Sequence, residues 1–392
     1  MENKDKVKEW SVKKKWNPFN SFKLLSQVYR WKLIERGKGV PQPALVTVDP
    51  SNNCNLNCSW CNSEPIIRRS NRMLSKNALL KIADFLAEWE GSDKWGKGVE
   101  AVCLAGGGEP LLNPHTGDFI NRCVENGIGV GIVTNGTEMD KFIEPLSKCT
   151  WVGISVDGGS AETIKNIKGV DVFDKVIQNI RKLSDYSKEN KTKLASPGQG
   201  YGISYKYLLY PLNISEIYES TKLAKEIGCK NFHMRPVGVP WDKLKKGEND
   251  FLDFNEENIK KFKEQVAKAR ELEDENFGVF GITHKFDDKF EISNRFSNCY
   301  AIFMTAVFMP PSIDNPDAFN LGLCCDRRGD SNLILGENIT DTGEASKLWG
   351  SGKHWEVFDK IKVGCCPRCT YQPHNQIYEH VILEDNMTYK FI

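Results

Sequence analysis

The sequence predicts an α/β chain: an open, partial (β/α)6 barrel followed by a small C-terminal α+β domain. Three observations carry that reading. Apolar strand-like runs alternate with amphipathic helical runs from Ala44 to Arg235, the pattern that builds a parallel sheet with right-handed crossovers. The alternation stops after Pro236. Beyond the break come short strand-like runs, Pro, Gly and a second set of cysteines.

Taken in order, the first forty or so residues are basic, from Lys4 to Lys38. Phe22, Leu24, Leu25, Val28, Leu33 and Ile34 recur there at helical spacing, which predicts one amphipathic helix packed on the main domain with a solvated charged face. Ala44–Asp49 reads as the first buried strand, and Ser75 caps a helix running to Trp89. Strands follow at Val99–Ala105, Ile128–Val133, Trp151–Val156, Tyr201–Leu209 and Asn231–Arg235, with helices between them closed at Gly127 and Gly228. Six such strands suit an open barrel better than a closed one of eight. The polar stretch to Asp253 reads as a linker or surface loop and Asn255–Asn276 as one long charged helix. The expected organisation is therefore a basic extension over 1–43, the barrel over 44–240, a linker and helix over 241–285, and the second domain over 286–392.

The 392 residues carry 53 Lys+Arg against 52 Asp+Glu, a balance that points to neither a nucleic acid nor a membrane surface as partner. No apolar run approaches the ~20 residues that cross a bilayer, and Met1–Lys15 is charged rather than signal-like. A cytoplasmic setting follows, where clustered cysteines indicate metal binding or redox chemistry rather than disulfides. Of 13 cysteines, Cys103, Cys123, Cys149 and Cys229 sit singly in apolar runs and read as small core residues. The others are grouped.

Directly after the first strand stands Cys54-Asn-Leu-Asn-Cys58-Ser-Trp-Cys61. Three thiolates on a loop at a strand's C-terminal end can take three corners of a cubane cluster, and no His or further Cys appears before Cys103 to close the site. The second strand ends in Gly106-Gly107-Gly108-Glu109-Pro110, the third in Thr134-Asn135-Gly136, and the fourth carries Ser155-Val-Asp157-Gly158. Polar groups ending parallel strands face the mouth of the sheet, where ligands bind in such folds; Asn-Gly and Asp-Gly are also ordinary turn pairs.

The C-x3-C-x2-C spacing, the aromatic Trp60 before its last cysteine and the Gly-Gly-Glu-Pro element resemble the radical S-adenosylmethionine (SAM) superfamily. The resemblance implies a [4Fe-4S] cluster on Cys54, Cys58 and Cys61 whose open iron binds the amino and carboxylate groups of S-adenosyl-L-methionine, with an electron from the cluster yielding methionine and a 5′-deoxyadenosyl radical. It further implies Trp60 beside the cofactor, Gly106, Gly107 and Glu109 on the methionine amine, and Asn135, Ser155 and Asp157 along the ribose and carboxylate. Arg235, ending the sixth strand, would bind cofactor carboxylate or substrate, accept a proton, or serve a structural ion pair.

The downstream cysteines, Cys299, Cys324-Cys325, Cys365-Cys366 and Cys369, resemble in order the auxiliary-cluster domain called SPASM, in its shorter single-cluster form called twitch. Leu321–Cys324 as a strand, Leu335–Ile339 as a turn and Leu348-Trp349-Gly-Ser351 match it too. The resemblance assigns Cys299, Cys324, Cys366 and Cys369 to one auxiliary [4Fe-4S] cluster, with Cys325 and Cys365 as rivals and a zinc staple as the bland alternative. The implied activity is radical oxidation or related C–H modification of a small molecule, a sugar or cyclitol among the candidates, with a reductant protein such as flavodoxin or ferredoxin. A peptide-modifying enzyme is the second reading; residues 1–43 leave little room for the separate peptide-recognition domain such enzymes often carry. An iron–sulfur electron carrier without catalysis, the third, does not account for the open three-cysteine site.

Overall fold

The structure is a computed structural model that describes residues 21–59, 61, 63, 71–92, 94–198, 202–237, 255–281, 296–363, 366 and 369–383. One ten-stranded sheet organises it, in the order β10-β9-β8-β1-β2-β3-β4-β5-β6-β7. Strands β1 (Leu45–Val48), β2 (Ala101–Leu104), β3 (Gly129–Thr134), β4 (Trp151–Ser155), β5 (Gly202–Leu209), β6 (Asn231–Pro236) and β7 (Gly278–Gly281) lie side by side and parallel. Sequential order with parallel pairing requires each crossover to return over the same face, which curls the sheet into a partial barrel.

The crossovers are the expected helices. Helix α1 (Lys76–Glu88) is capped by Ser75, whose hydroxyl accepts from the Ala78 N–H at 3.0 Å. It is followed by α2 (Thr116–Glu125), α3 (Ile143–Ser147), α4 (Ala161–Lys168), α5 (Phe173–Glu189), α6 (Ile217–Glu226) and α7 (Glu256–Arg270). The strand pleat sends alternate residues to opposite faces. Val46, Val102, Val130, Val152, Ile203 and Phe232 are fully buried under the helices, while Cys103, Trp151, Lys206 and His233 stand half-buried on the inner face. Cys103 is thus not a core residue like Cys123, Cys149 and Cys229, which are buried. The sixth strand expected from the sequence is followed by a seventh, β7, whose four residues include two glycines and give no periodic signal.

The chain then returns to the other edge of the sheet. Strand β8 (Thr305–Met309) pairs parallel with β1, and β9 (Phe319–Gly322) and β10 (Ile334–Ile339) continue antiparallel. The Leu335–Ile339 segment, expected as a turn, is therefore an edge strand; the turn signal survives as a register shift and a positive φ of 55° at Asn338. Near the N-terminus, Ser21–Gln27 is a tight 3-10 coil leading into one helical turn, Val28–Trp31. Among the described residues no helix is long and apolar enough to cross a membrane.

A buried ion pair joins the C-terminal segment to the barrel. Arg328 Nε lies 2.6 Å from Asp49 Oδ2 at the end of β1, its Nη2 donates to the Ala105 carbonyl at 2.7 Å beyond β2, and its Nη1 donates to the Cys325 carbonyl. Burial pushes the Asp49 carboxyl up to about 6, against the pull of Arg328. Removing one partner of a buried pair leaves the other charge uncompensated. Arg328→Met is therefore expected to lower the unfolding free energy by about 3–5 kcal/mol. Adding Asp49→Asn should recover part of that loss, as read by denaturant titration of the double-mutant cycle.

Candidate functional site

The first cysteine loop leaves β1 at Asp49 and is held by hydrogen bonds on three sides. Gly108 N–H donates to the Ser51 carbonyl at 2.8 Å and Glu109 N–H to the Asn53 carbonyl at 2.6 Å. A Cβ on Gly108 would stand 2.0 Å from that Asn53 oxygen, so the close approach of the two loops requires glycine. On the second side, Asn135 Nδ2 donates to Asn55 Oδ1, and Asn55 Nδ2 to Thr137 Oγ1, both at 2.8 Å. On the third, the N–H groups of Asn57 and Ser59 donate to the carbonyls of Lys168 and Ile167 at the end of α4, at 3.0 and 3.2 Å. Those two carbonyls belong to the four that a helix C-terminus leaves without intrahelical donors.

Cys54, Cys58 and Cys61 are half-buried free thiols on this loop. Burial pushes the Cys58 thiol up to about 12, with the ammonium of Lys168 acting in the opposite direction. Cys58 packs against a small apolar group of Ile167, Tyr210 and Val237. Trp60 lies outside the described residues.

Two carboxylates stand near the thiols, and both are engaged. Glu109 is buried; its Oε1 accepts from Thr134 Oγ1 at 2.5 Å and the Leu111 N–H at 3.1 Å, and its Oε2 from the Asn135 N–H at 2.7 Å. Asp157, at a left-handed φ of 68°, accepts from the Leu208 N–H at 2.7 Å and pairs with Lys168 at 3.0 Å, both side chains being 3% exposed. The same ammonium donates to the Ser155 carbonyl. Glu109 and Asp157 therefore brace the mouth of the barrel, and Lys168 places a buried cation beside the cysteines. Nothing in the local sequence marks Lys168, the last residue of an amphipathic helix, for that role. Gly106 and Gly107 turn the chain there at φ of 83° and 72°. Arg235 is exposed on the inner face beyond Lys206.

The second cysteine group assembles by topology. Because β9 runs antiparallel to β8, its end returns beside the start of β8, and Thr305 Oγ1 donates to the Leu323 carbonyl at 3.0 Å. Cys299 precedes β8 and Cys324 follows β9. Helix α8 (Thr342–Leu348), helix α9 (Gly352–Lys360) and the turn after it bring Cys366 and Cys369 to the same place. All four line one cavity with Phe296, Ile302, Leu333 and Tyr371. Cys325 is not among the lining residues; its sulfur is 3.0 Å from the Tyr371 hydroxyl, with Cys103 on β2 as an electrostatic neighbour. Cys365 lies outside the described residues. Among the described residues no three His, Cys, Asp or Glu side chains are drawn close enough to hold a single metal ion; a cubane spreads its thiolates wider than one zinc does.

Residues 48–200 match the family model of the Radical SAM superfamily, a family that uses a [4Fe-4S] cluster and S-adenosylmethionine. In sequence it is similar to a probable GTP 3′,8-cyclase of Saccharolobus islandicus (strain M.14.25 / Kamchatka #1), 27% identical over 223 residues, 55% of this chain and 65% of the cyclase. An AdoMet-dependent heme synthase of Methanosarcina barkeri is 25% identical over 198 residues, 49% of this chain and 50% of the synthase. The chain thus spans less than two thirds of these relatives' length. In fold it is similar to Streptococcus suis SuiB bound to its precursor peptide SuiA, with TM-score 0.57, 14% identity and coverage of 88% of this chain and 71% of SuiB. It is similar also to anSMEcpe with bound AdoMet, with TM-score 0.54, 18% identity, 85% of this chain and 88% of the other.

The junction of the cysteine loop with α4 is open to test. Gly169 follows α4 at φ of 72°, and a Cβ there would lie 3.1 Å from the Asn57 carbonyl oxygen. Gly169→Ala is expected to cost about 1–2 kcal/mol of stability. Hydrogen exchange should quicken at the Asn57 and Ser59 amides while the β1–β4 amides keep their protection.

Proposed function

We propose that this chain, built around a radical SAM domain, is an enzyme that reductively cleaves S-adenosylmethionine and abstracts a hydrogen atom from a small molecule. A sugar or cyclitol is among the candidate substrates, and an auxiliary iron–sulfur cluster would assist oxidation. One observation carries the reading. Three thiols share a loop whose two neighbouring carboxylates, Glu109 and Asp157, are already committed to Thr134, Asn135, Leu111, Lys168 and Leu208. A cluster held by three cysteines, with no spare carboxylate beside them among the described residues, keeps one iron open, as catalytic metal sites do.

When bound, the cluster supplies the electron that splits the sulfonium into methionine and a 5′-deoxyadenosyl radical. The protein's share is to hold, orient and exclude water. Cys54, Cys58 and Cys61 hold the cluster. The Gly106–Gly107 backbone and the braced Glu109 face the methionine amine. Asn135, Ser155 and Asp157 bound the remaining cofactor surface, with Lys168 paired directly to Asp157. Ile167, Tyr210 and Val237 close the apolar wall beside Cys58. Trp60 is assigned to the same cofactor surface. Arg235 is assigned to the substrate or the cofactor carboxylate. In the C-terminal segment Cys299, Cys324, Cys366 and Cys369 are the ligands of the auxiliary cluster, a set supported by their common cavity, which Cys325 does not line.

A small-molecule substrate is favoured by the names of the curated relatives, a GTP cyclase and a heme synthase. The peptide reading rests on the fold match to SuiB, solved with a precursor peptide. The reductant would be a flavodoxin or ferredoxin, and the reduced thiols suit the cytoplasm.

Anaerobically reconstituted protein is expected to hold about eight irons, and the Cys54→Ala/Cys58→Ala/Cys61→Ala variant about four, with no 5′-deoxyadenosine released from S-adenosylmethionine. Cys299→Ala/Cys369→Ala should lose the other cluster and still release 5′-deoxyadenosine. Zinc in place of iron at the second site contradicts the auxiliary-cluster assignment. Parent protein that releases no 5′-deoxyadenosine with any reductant contradicts the catalytic one.

A further inference from the structure

The glycine turn that the proposed function places on the methionine amine is packed from two directions. A Cβ on Gly107 would lie 2.8 Å from Asn52 Oδ1, and one on Gly108 would meet the Asn53 carbonyl, so the first cysteine loop covers both. A Cβ on Gly106 would lie 2.5 Å from Arg328 Cζ, and 2.7 and 2.8 Å from its two terminal nitrogens. The guanidinium therefore lies against the Gly106 α-carbon by its face. Only a residue without a side chain admits that contact at a φ of 83°.

Arg328 belongs to the other cysteine site. It ends the segment Cys324-Cys325-Asp326-Arg327-Arg328, whose residues are tied to different partners. Cys324 lines the cavity shared with Cys299, Cys366 and Cys369. Asp326 accepts from the Thr370 N–H at 2.7 Å and from the Thr370 hydroxyl at 2.9 Å, next to Cys369. Arg327 Nη1 lies 3.7 Å from Cys366 Sγ. Arg328 then crosses to the barrel, with Nη1 on the Cys325 carbonyl, Nε on Asp49 and Nη2 on the Ala105 carbonyl, the residue before Gly106. Its side chain is 14% exposed and that of Asp49 1%, so water is a poor substitute for either partner.

A group that draws the four cysteines together would thus fix the segment at Cys324, at Asp326 through the chain beside Cys369, and at Arg327 through Cys366. A guanidinium presents its donors in one rigid plane, so Arg328 carries any such constraint to Asp49, Ala105 and Gly106 together. Moving it alone would leave a buried carboxylate unpaired and a carbonyl without its donor.

We infer that Arg328 is a positioning residue that couples the two cysteine sites: it holds the glycine turn in the place that binds S-adenosylmethionine, and filling of the second cavity strengthens that hold. This deepens the proposed function and rests on it for what each site binds. Coupling between two sites is reciprocal, and commonly changes affinity by about 5–150-fold.

The test is a calorimetric titration of S-adenosylmethionine into anaerobically reconstituted protein, which needs no turnover. Four proteins make the cycle: the parent, Arg328→Lys, Cys299→Ala/Cys369→Ala, and the two changes combined. Lysine keeps a cation for Asp49 but lacks the planar fork that serves Asp49, Ala105 and Cys325 at once. Each change made singly is expected to weaken binding about tenfold. The combination should also weaken it about tenfold rather than about a hundredfold, because both changes break the same link. A residue that served stability alone would give the full product. Where Arg328→Lys does not fold, Arg328→Met/Asp49→Asn breaks the link without leaving a lone buried charge and takes its place in the cycle. The inference is overturned if either single change binds like the parent, or if the two losses multiply. Parent protein that binds no S-adenosylmethionine contradicts the proposed function itself, whereas binding that ignores Arg328 contradicts this inference alone.

Discussion

The guanidinium of Arg328 reaches from the second cysteine segment into the barrel and closes on Asp49, the residue that ends β1 and begins the first cysteine loop. Its remaining N–H groups go to the carbonyls of Ala105 and Cys325. One side chain thereby fixes three things relative to each other: the root of the Cys54–Cys61 loop, the approach to the glycine turn, and the Cys324-Cys325 doublet. A charge pair so deeply placed is a poor source of net stability, since desolvation consumes most of the attraction. Its value lies in geometry, because almost any displacement leaves a charge without a partner.

From that fixed point the division of labour follows. The C-terminal ends of β1 to β4 carry the cysteine loop, the glycine turn and the Asn135 and Asp157 turns, all cross-braced by Glu109 and Lys168. The far edge of the sheet, through β8 and β9, carries the second cysteine group. Between them lies the inner face, with Cys103, Trp151, Lys206, His233 and Arg235. The Cys324–Arg328 loop meets the sheet beside Cys103, Asp49 and Ala105.

Much of this was legible in the sequence. Ligand spacing in C-x3-C-x2-C is local, and so is the alternation that marks β1 to β6, because both depend on residues a few positions apart. What escaped depends on distant partners. Arg328 is 279 residues from Asp49, and neither looks unusual where it stands. Lys168 ends an amphipathic helix like any surface lysine and is nevertheless buried against Asp157. Leu335–Ile339 carries real turn signals in Gly336 and Asn338, and pairing with β9 makes it an edge strand with an irregular register. Cys103 passes for a core cysteine until the pleat shows that it points inward. Lys206 and His233 did leave a trace: a lysine within GISYKYLL and a histidine within NFHMRP stand in the middle of their strands. A charged residue at such a place needs a reason, and the inner face supplies one.

The proposed function requires an iron that no side chain caps. Electron paramagnetic resonance of the reduced protein, recorded before and after S-adenosylmethionine is added, addresses that iron directly. The account predicts that the signal of the cluster on Cys54, Cys58 and Cys61 changes its g values when the cofactor's amino and carboxylate groups reach the metal. A signal that stays unmoved at saturating cofactor would mean that the fourth position is already filled, and would contradict the account.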